Sequence, residues 1–353
     1  MTAESADDST AHAATAHAAA PHASLPATDG AAVTLLDVLA AARRIAPFIQ
    51  RTPLERSAHL SAATGAEVWL KLECFQLTGS FKLRGALNAL LSLDEAARQR
   101  GVVTASAGNH GLGVARAATL TGLPAVVVVP ETASAAKVDL LRQSGCELIL
   151  HGVDYDAAEA HAIELAVTRA ATYISAYDHP AVVAGGGTIA LEILEMLPET
   201  DVLVVPAGGG GLISGVALAA KALRPDILVY GAQSTASPAL HAALVAGRPV
   251  PVPICDSLAD GLAGNIAAGS ITVGLAQQFV DRIVLVDEAA IAATMRSVLT
   301  HEHILVEGSS AVPAAVVQSG QLDVAGKRVV LVLTGRNVAA SVLHSVLSGT
   351  SSH

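Results

Sequence analysis

The chain has 353 residues, of which 52% are hydrophobic and 15% are charged, and its formal net charge is −10. This length allows two domains or one large α/β unit. The acidic balance and the lack of a basic stripe argue against nucleic acid or an anionic membrane as a partner. The apolar runs, such as Pro124–Pro130, are of strand length and end at Pro or Gly, whereas a membrane-spanning helix needs roughly 20 apolar residues. We therefore expect no membrane span.

Residues 1–30 are rich in alanine, contain His12, His17 and His22, and have no Lys or Arg. A disordered tail is the expected state of such a composition. Weak metal binding by the three histidines is the alternative. The stretch has neither the apolar core of a secretory signal nor the arginines of a transit peptide.

The three cysteines, Cys74, Cys146 and Cys255, have neither the spacing of a disulfide framework nor that of a zinc site. We expect them to be structural thiols in a reducing compartment. The cysteine pattern thus favours a cytoplasmic protein, and we expect no metal centre.

From about Val33 the chain alternates between strand-like and helix-like segments. Residues 67–73 alternate apolar and polar side chains, which predicts a strand. After Lys82, apolar residues recur at i, i+3, i+4, i+7 and i+8, which predicts a helix that begins at about Leu83. Further strands are predicted at residues 101–105, 124–129, 147–150, 202–205, 227–232, 282–286 and 328–333. Further helices are predicted at 112–120, 135–143, 188–197, 212–223, 289–299 and after Val338.

This repeated strand–helix order predicts an α/β fold with mostly parallel sheets covered by helices. In such sheets ligands bind at the carboxyl ends of the strands, where loops lead into helix N-termini. Four loops of this kind carry unusual residues.

The first loop holds Lys82, at the start of a predicted helix. The helix dipole disfavours a positive charge there, which would lower the pKa of the lysine and supply the free amine that a Schiff-base lysine needs. A solvated surface lysine is the simpler alternative.

The second loop contains four consecutive glycines, residues 208–211, between a buried strand and a helix. Such glycines allow backbone N–H groups to converge on an anion, so this loop predicts a phosphate site. It lacks the Gly-Lys-Ser/Thr of a Walker loop and the spacing of a dinucleotide-binding motif. A turn for close packing is the alternative.

The third and fourth loops offer polar side chains to the same edge. Residues 106–111, "SAGNHG", supply a hydroxyl, an amide and an imidazole that suit a carboxylate and a phenolic oxygen, and Thr334 supplies a hydroxyl in "LTGRN". Each of these loops alone could be a simple turn or helix cap. Together, the four loops provide the amine, the phosphate site, the amide and the hydroxyl needed to hold pyridoxal phosphate.

With these four loops, the sequence closely resembles the fold-type II pyridoxal-phosphate enzymes, and among them the serine/threonine dehydratases, or threonine ammonia-lyases. The resemblance runs from about Thr34 to Leu347. It rests on the order and spacing of seven segments: "LKLECFQLTGSFKLRGALNAL", "TASAGNHGLGVA", "AGGGTIALEI", "VVPAGGGGLISG", "DGLAG", "EGSSAV" and "LTGRNV".

The resemblance implies a two-domain, tryptophan synthase β-like fold. Residues 31–100 and 179–353 would form the large domain that binds the cofactor, with residues 101–178 as an inserted small domain. It also implies a homodimer or homotetramer that acts on a small amino acid.

Site residues are implied in the same way. Lys82 would bind the cofactor aldehyde as an imine and then act as the base, and Phe81 would pack beside the cofactor. Asn109 would hydrogen-bond the ring oxygen, and Thr334 would face the pyridine nitrogen. The phosphate would bind the backbone N–H groups of Gly208, Gly209, Gly210, Gly211 and Leu212. The substrate carboxylate would lie against Ser106, Ala107, Gly108, Asn109 and His110.

The implied reaction is α,β-elimination from L-threonine or L-serine, which gives 2-oxobutanoate or pyruvate and ammonia. A neutral hydroxyl partner does not enforce protonation of the ring nitrogen, which favours loss of the β-hydroxyl over reprotonation. The alternatives are a lyase for another amino acid, such as threo-3-hydroxyaspartate or an intermediate of ectoine or hydroxyectoine breakdown, and a serine racemase.

Several departures from the family pattern bear on these alternatives. Ala107 stands where racemases carry a serine, which argues against racemisation. Residues 233–240 lack the carboxylates of members that bind a divalent cation, although carbonyl oxygens could hold a monovalent ion. Gly186 and Arg336 replace a common Gln and Gly, which leaves the substrate open. The chain ends shortly after the last predicted helix, which suggests an enzyme without an isoleucine-sensing regulatory domain.

Overall fold

The computed structural model describes residues 33–349, and the predicted disordered tail at 1–30 lies outside these described residues. Two β-sheets run through them. The strands are β1 Leu54–Arg56, β2 Glu67–Lys71, β3 Val102–Ala105, β4 Ala125–Val129, β5 Glu147–Leu150, β6 Thr172–Tyr173, β7 Val202–Pro206, β8 Leu228–Ser234, β9 Arg282–Val286 and β10 Arg328–Val332.

The α-helices that connect and cover these strands follow the predicted alternation. They are α1 Leu35–Ile45, α2 Ala58–Thr64, α3 Lys82–Leu91, α4 Glu95–Arg100, α5 Asn109–Thr121, α6 Ala135–Arg142, α7 Tyr155–Thr168, α8 Pro180–Met196, α9 Gly211–Leu223, α10 Ala239–Ala246, α11 Ile271–Phe279, α12 Glu288–Ser297, α13 Gly308–Gln318 and α14 Ala340–Ser348. A π-helical turn, Val298–Glu302, extends α12. In residues 33–349, no helix has the length and apolar content needed to cross a bilayer.

The larger sheet has the strand order β1-β2-β10-β7-β8-β9, and the smaller sheet has the order β5-β4-β3-β6. Every neighbouring pair is parallel except β1 with β2. This confirms the predicted α/β class with parallel sheets flanked by helices. The smaller sheet lies within residues 102–173; the domain limits of 101 and 178 remain a prediction.

Helices cover both faces of the larger sheet. The core on one face is contributed by α1, α8, α9, α10 and α11, and the core on the other face by α2, α12, α13 and α14. On the smaller sheet, α7 packs on one face, and α5 and α6 on the other. Both faces are therefore removed from water, which explains the continuous apolar strands of the sequence.

Helix α3 joins the two parts of the molecule because it packs against both α5 and α8. The backbones of α3 and α8 approach so closely that a Cβ atom added at Gly185 would lie 2.6 Å from the carbonyl oxygen of Arg84. A Cβ atom at Gly85 would likewise lie 2.9 Å from a methyl group of Val182. Glycine is therefore required at this crossing, and the crossing fixes the helix that begins with Lys82.

Candidate active site

Lys82 is the first residue of α3, one residue before the predicted start. The loop that carries it is tied to the segment after β10, because the N–H of Phe81 donates to the carbonyl oxygen of Thr334 at 3.0 Å, and Ser80 forms a β-bridge with Gly335. The Lys82 Nζ atom donates to the carbonyl oxygen of Ala176 at 2.9 Å. The lysine is therefore held inside a cleft and is not extended into solvent.

Removal from water lowers the pKa of Lys82 to about 8, against the opposing attraction of the Glu307 carboxylate. Desolvation is thus the main cause of the lowered pKa, whereas the helix dipole was the cause expected from the sequence. The lower pKa makes the neutral amine accessible near physiological pH, as a nucleophile or base requires.

The glycine loop joins the end of β7 to the start of α9. A Cβ atom at Gly209 would lie 2.5 Å from the ring of Tyr177, and one at Gly211 would lie 2.6 Å from the Tyr177 carbonyl oxygen. Gly210 has a φ of 91°. Because the first N–H groups of a helix lack partners within it, those at the start of α9 are available to an anion.

We expect Gly209→Ala to displace Tyr177 or the glycine loop, since its φ lies outside the left-handed region and its new methyl group would overlap the ring. The overlap should cost about 1–3 kcal/mol and weaken binding of an anion at this loop. Unfolding midpoints and cofactor affinity measure the two effects. Gly274→Ala in α11 is the matched control, because no atom lies within 4 Å of its added Cβ; that change should stabilise α11 by about 0.5–1 kcal/mol. Equal effects at both positions would contradict the steric argument.

Residues 106–109 are half-buried in the turn between β3 and α5. The Ser106 hydroxyl accepts from the N–H of Gly108 at 3.1 Å, and Asn109 begins α5. The amide of Asn109 donates from Nδ2 to Oε1 of Glu307 at 2.7 Å and accepts at Oδ1 from Nδ2 of Asn337 at 2.7 Å. The turn after β3 therefore meets the turn after β10 through side chains.

His110 is placed differently from its neighbours because its side chain is buried at 3% exposure. Its Nε2 atom lies 3.1 Å from the carbonyl oxygen of Ile174 and donates to it. Burial, and next the charge of Lys82, lower the pKa of His110 to about 3, so the ring stays neutral. Its predicted role in the substrate carboxylate pocket remains a prediction.

Two parts of the site were missed in the sequence. Glu307 lies within the quoted segment "EGSSAV" but received no role, although it is 7% exposed and hydrogen-bonded to Asn109. Residues 174–178 contact three parts of the site. The carbonyl of Ile174 contacts His110, the carbonyl of Ala176 contacts Lys82, and the ring of Tyr177 lies against the glycine loop. The acidic residue that opens the quoted segment "EGSSAV" was the available signal for Glu307, whereas residues 174–178 carry no distinctive motif.

The residues fit pyridoxal phosphate. Lys82 offers an amine removed from water to an aldehyde. The close approach of Tyr177 and Thr272 keeps the glycine loop free of side chains, which leaves the N–H groups at the start of α9 available to an anion. Thr334 is buried at 3% exposure, two residues after the end of β10. The family described as pyridoxal-phosphate dependent enzymes matches residues 45–335. The chain belongs to this family. Pyridoxal phosphate is therefore the cofactor of this enzyme.

Known members of the pyridoxal-phosphate family resemble the chain over most of its length. An L-threonine ammonia-lyase of Thermotoga maritima is 41% identical over 90% of this chain and 78% of that protein. An L-threo-3-hydroxyaspartate ammonia-lyase of a Pseudomonas species is 39% identical over 89% of this chain and 98% of that protein. The structure of maize serine racemase superposes with a TM-score of 0.85 at 33% identity, over 90% of this chain and 98% of the racemase. The architecture described above is therefore that of fold-type II enzymes.

Proposed function

We propose that this enzyme is an ammonia-lyase that converts L-threonine and L-serine into 2-oxobutanoate and pyruvate, with release of ammonia. The proposal rests on the Lys82 amine. This amine belongs to the first residue of α3, donates to the carbonyl oxygen of Ala176 and has a lowered pKa. The 41% identity with an L-threonine ammonia-lyase supports the choice of substrate.

The proposed roles of the residues rest on their placement together with the family resemblance. When bound, pyridoxal phosphate withdraws electrons from the substrate Cα and makes its hydrogen acidic. Lys82 accepts that proton, because desolvation lowers its pKa to about 8 and so raises the fraction of neutral amine near physiological pH. The N–H groups of residues 208–212 would hold the phosphate, and Phe81 would pack beside the ring. The substrate carboxylate would lie against residues 106–110, and the Thr334 hydroxyl would face the pyridine nitrogen.

A second substrate, threo-3-hydroxyaspartate, is favoured by the relative that shares 39% of its residues over 98% of its own length. Racemisation is disfavoured, because Ala107 has no group that could return a proton to the second face of Cα. An intermediate of ectoine or hydroxyectoine breakdown stays the third substrate class.

Release of 2-oxo acid from a panel of amino acids tests the proposal. We expect product from L-threonine and L-serine, with smaller or no release from threo-3-hydroxyaspartate and ectoine-derived amino acids, and no D-serine from L-serine. Chiral chromatography of the same reactions detects any racemisation. Cofactor-loaded enzyme that releases no 2-oxo acid from any member of the panel would disprove the lyase assignment.

We also infer a cytoplasmic homo-oligomer. The three cysteines are unpaired, as a reducing compartment favours. The predicted dimer or tetramer rests on the family resemblance, and light scattering that gives the mass of one chain would refute it.

A further inference from the structure

The side-chain amide of Asn109 is held from both sides. On one side, Nδ2 donates to Oε1 of Glu307 at 2.7 Å; on the other, Oδ1 accepts from Nδ2 of Asn337 at 2.7 Å. The same Nδ2 of Asn337 also donates to the carbonyl oxygen of Thr78 at 2.9 Å. Two separate parts of the chain thus converge on the Asn109 amide, and a third, at Thr78, holds one of them.

An asparagine amide can turn by 180° and exchange its donor and acceptor ends, so the neighbouring groups decide which end faces a ligand. Turning Asn109 would place its NH₂ group against the NH₂ group of Asn337, and its oxygen against the Glu307 carboxylate. Asn337 cannot adapt by turning, because its own Nδ2 is already fixed by Thr78. Only one orientation of Asn109 is satisfied on both sides.

Glu307 is suited to this contact because its surroundings remove it from water. Burial raises the pKa of Glu307 to about 7, while the Asn109 hydrogen bond acts in the opposite direction. Oε1 can accept a hydrogen bond whether or not Oε2 carries a proton. The contact with Asn109 is therefore maintained on both sides of neutral pH.

The surrounding backbone leaves room for this arrangement. A Cβ atom at Gly335 would lie 2.3 Å from Oε1 of Glu307, and one at Gly79 would lie 2.6 Å from Oδ1 of Asn337. The Glu307 N–H donates to the Gly335 carbonyl oxygen at 3.1 Å, and the Arg336 N–H to that of Gly79 at 2.9 Å. The loops that carry the two partners of Asn109 are thus fixed against each other.

We propose that Glu307 and Asn337 are positioning residues that lock the Asn109 amide, so that its second Nδ2 hydrogen points at the ring oxygen of pyridoxal phosphate. Nδ2 carries two hydrogens, and Glu307 uses one of them. The inference rests on the proposed role of Asn109 but not on the identity of the amino-acid substrate. It accounts for a buried carboxylate that otherwise acts on the proposed chemistry only through its attraction for the Lys82 amine.

A double-mutant cycle on the holoenzyme tests the lock, with the cofactor dissociation constant and the visible circular dichroism of the bound cofactor as readouts. Glu307→Ala should weaken cofactor binding about tenfold and change the visible band, as expected for loss of one oriented hydrogen bond. Glu307→Gln keeps an acceptor at Oε1 and should stay within about threefold of the wild type. In an Asn109→Ala background, Glu307→Ala should have less than about a twofold effect.

The outcomes separate the lock from the role of Asn109 itself. If Asn109→Ala changes neither binding nor the visible band, the proposed contact with the ring oxygen fails, and the lock with it. If Asn109→Ala has an effect but Glu307→Ala is equally damaging in both backgrounds, the lock is wrong and Glu307 acts by another route. Glu195→Gln, at an exposed ion pair with Arg51, is the matched control and should change neither readout.

Discussion

Replacing Lys82 with alanine is expected to reduce 2-oxo acid release by about four orders of magnitude or more. The change removes the amine that we propose to bind the cofactor aldehyde and to accept the Cα proton. Noncovalent contacts at the glycine loop and at Asn109 remain, so the variant should still bind pyridoxal phosphate weakly. Steady-state rates measure the first effect, and the protein mass after borohydride reduction measures the covalent attachment.

Lys327→Ala is the matched control for this experiment. Its Nζ atom donates to the carbonyl oxygen of Asp323, in the turn before β10 and therefore at the opposite end of the sheet from the cleft. The control should keep the rate and the borohydride-fixed adduct of the wild type. A Lys82→Ala protein that still carried a borohydride-fixed adduct would show that another lysine binds the cofactor.

Local patterns predicted several of the elements that frame the site, but not α13, which begins directly after Glu307. The apolar spacing after Lys82 predicted α3 to within one residue at its start, and the glycine run predicted the loop before α9. Helix α7 was missed, because its apolar residues are largely alanines spread around the helix. Strand β6 was missed because its two residues are too few to show a period.

The long-range contacts of the site could not be predicted from these patterns. Glu307 and Asn109 are 198 residues apart, and only the meeting of the turn after β3 with the segment before α13 brings them together. His110 was grouped with its neighbours in "SAGNHG", yet the geometry of the first turn of α5 directs its ring towards Ile174. Periodicity shows which face of an element is buried, but it does not show which loops meet.

A buried ion cluster anchors α3 beside the active-site lysine. The Arg84 Nε atom lies 2.7 Å from Glu73 Oε2, and its NH1 atom lies 2.7 Å from Glu192 Oε1. Lys71 Nζ lies 2.6 Å from Oε2 of the same Glu192. Arg84 and Glu73 are fully buried. The cluster ties α3 to the end of β2 and to α8, and so fixes the position of Lys82, two residues before Arg84.

Arg84→Met should destabilise the protein by about 3–5 kcal/mol, because it leaves two carboxylates in the interior with only Lys71 to balance them. Urea unfolding measures the change in free energy. Arg142→Met is the matched control: Arg142 pairs with Asp139 in an exposed bridge, whose loss should cost at most about 1 kcal/mol. Similar losses at both positions would show that the cluster contributes no more than a surface pair.

The pH dependence of that loss identifies its electrostatic origin. Burial alone would raise the pKa of Glu192, but Arg84 and Lys71 outweigh burial and hold it below its ordinary value of 4.5. A depressed carboxyl pKa stabilises the folded state above the unfolded pKa, and this contribution is lost as the pH falls through the folded value. The difference between wild type and Arg84→Met should therefore be largest near neutral pH and shrink as the pH falls towards and below 4.5. If the difference in unfolding free energy stayed constant over this range, its cause would be lost packing of the Arg84 side chain and not unbalanced charge.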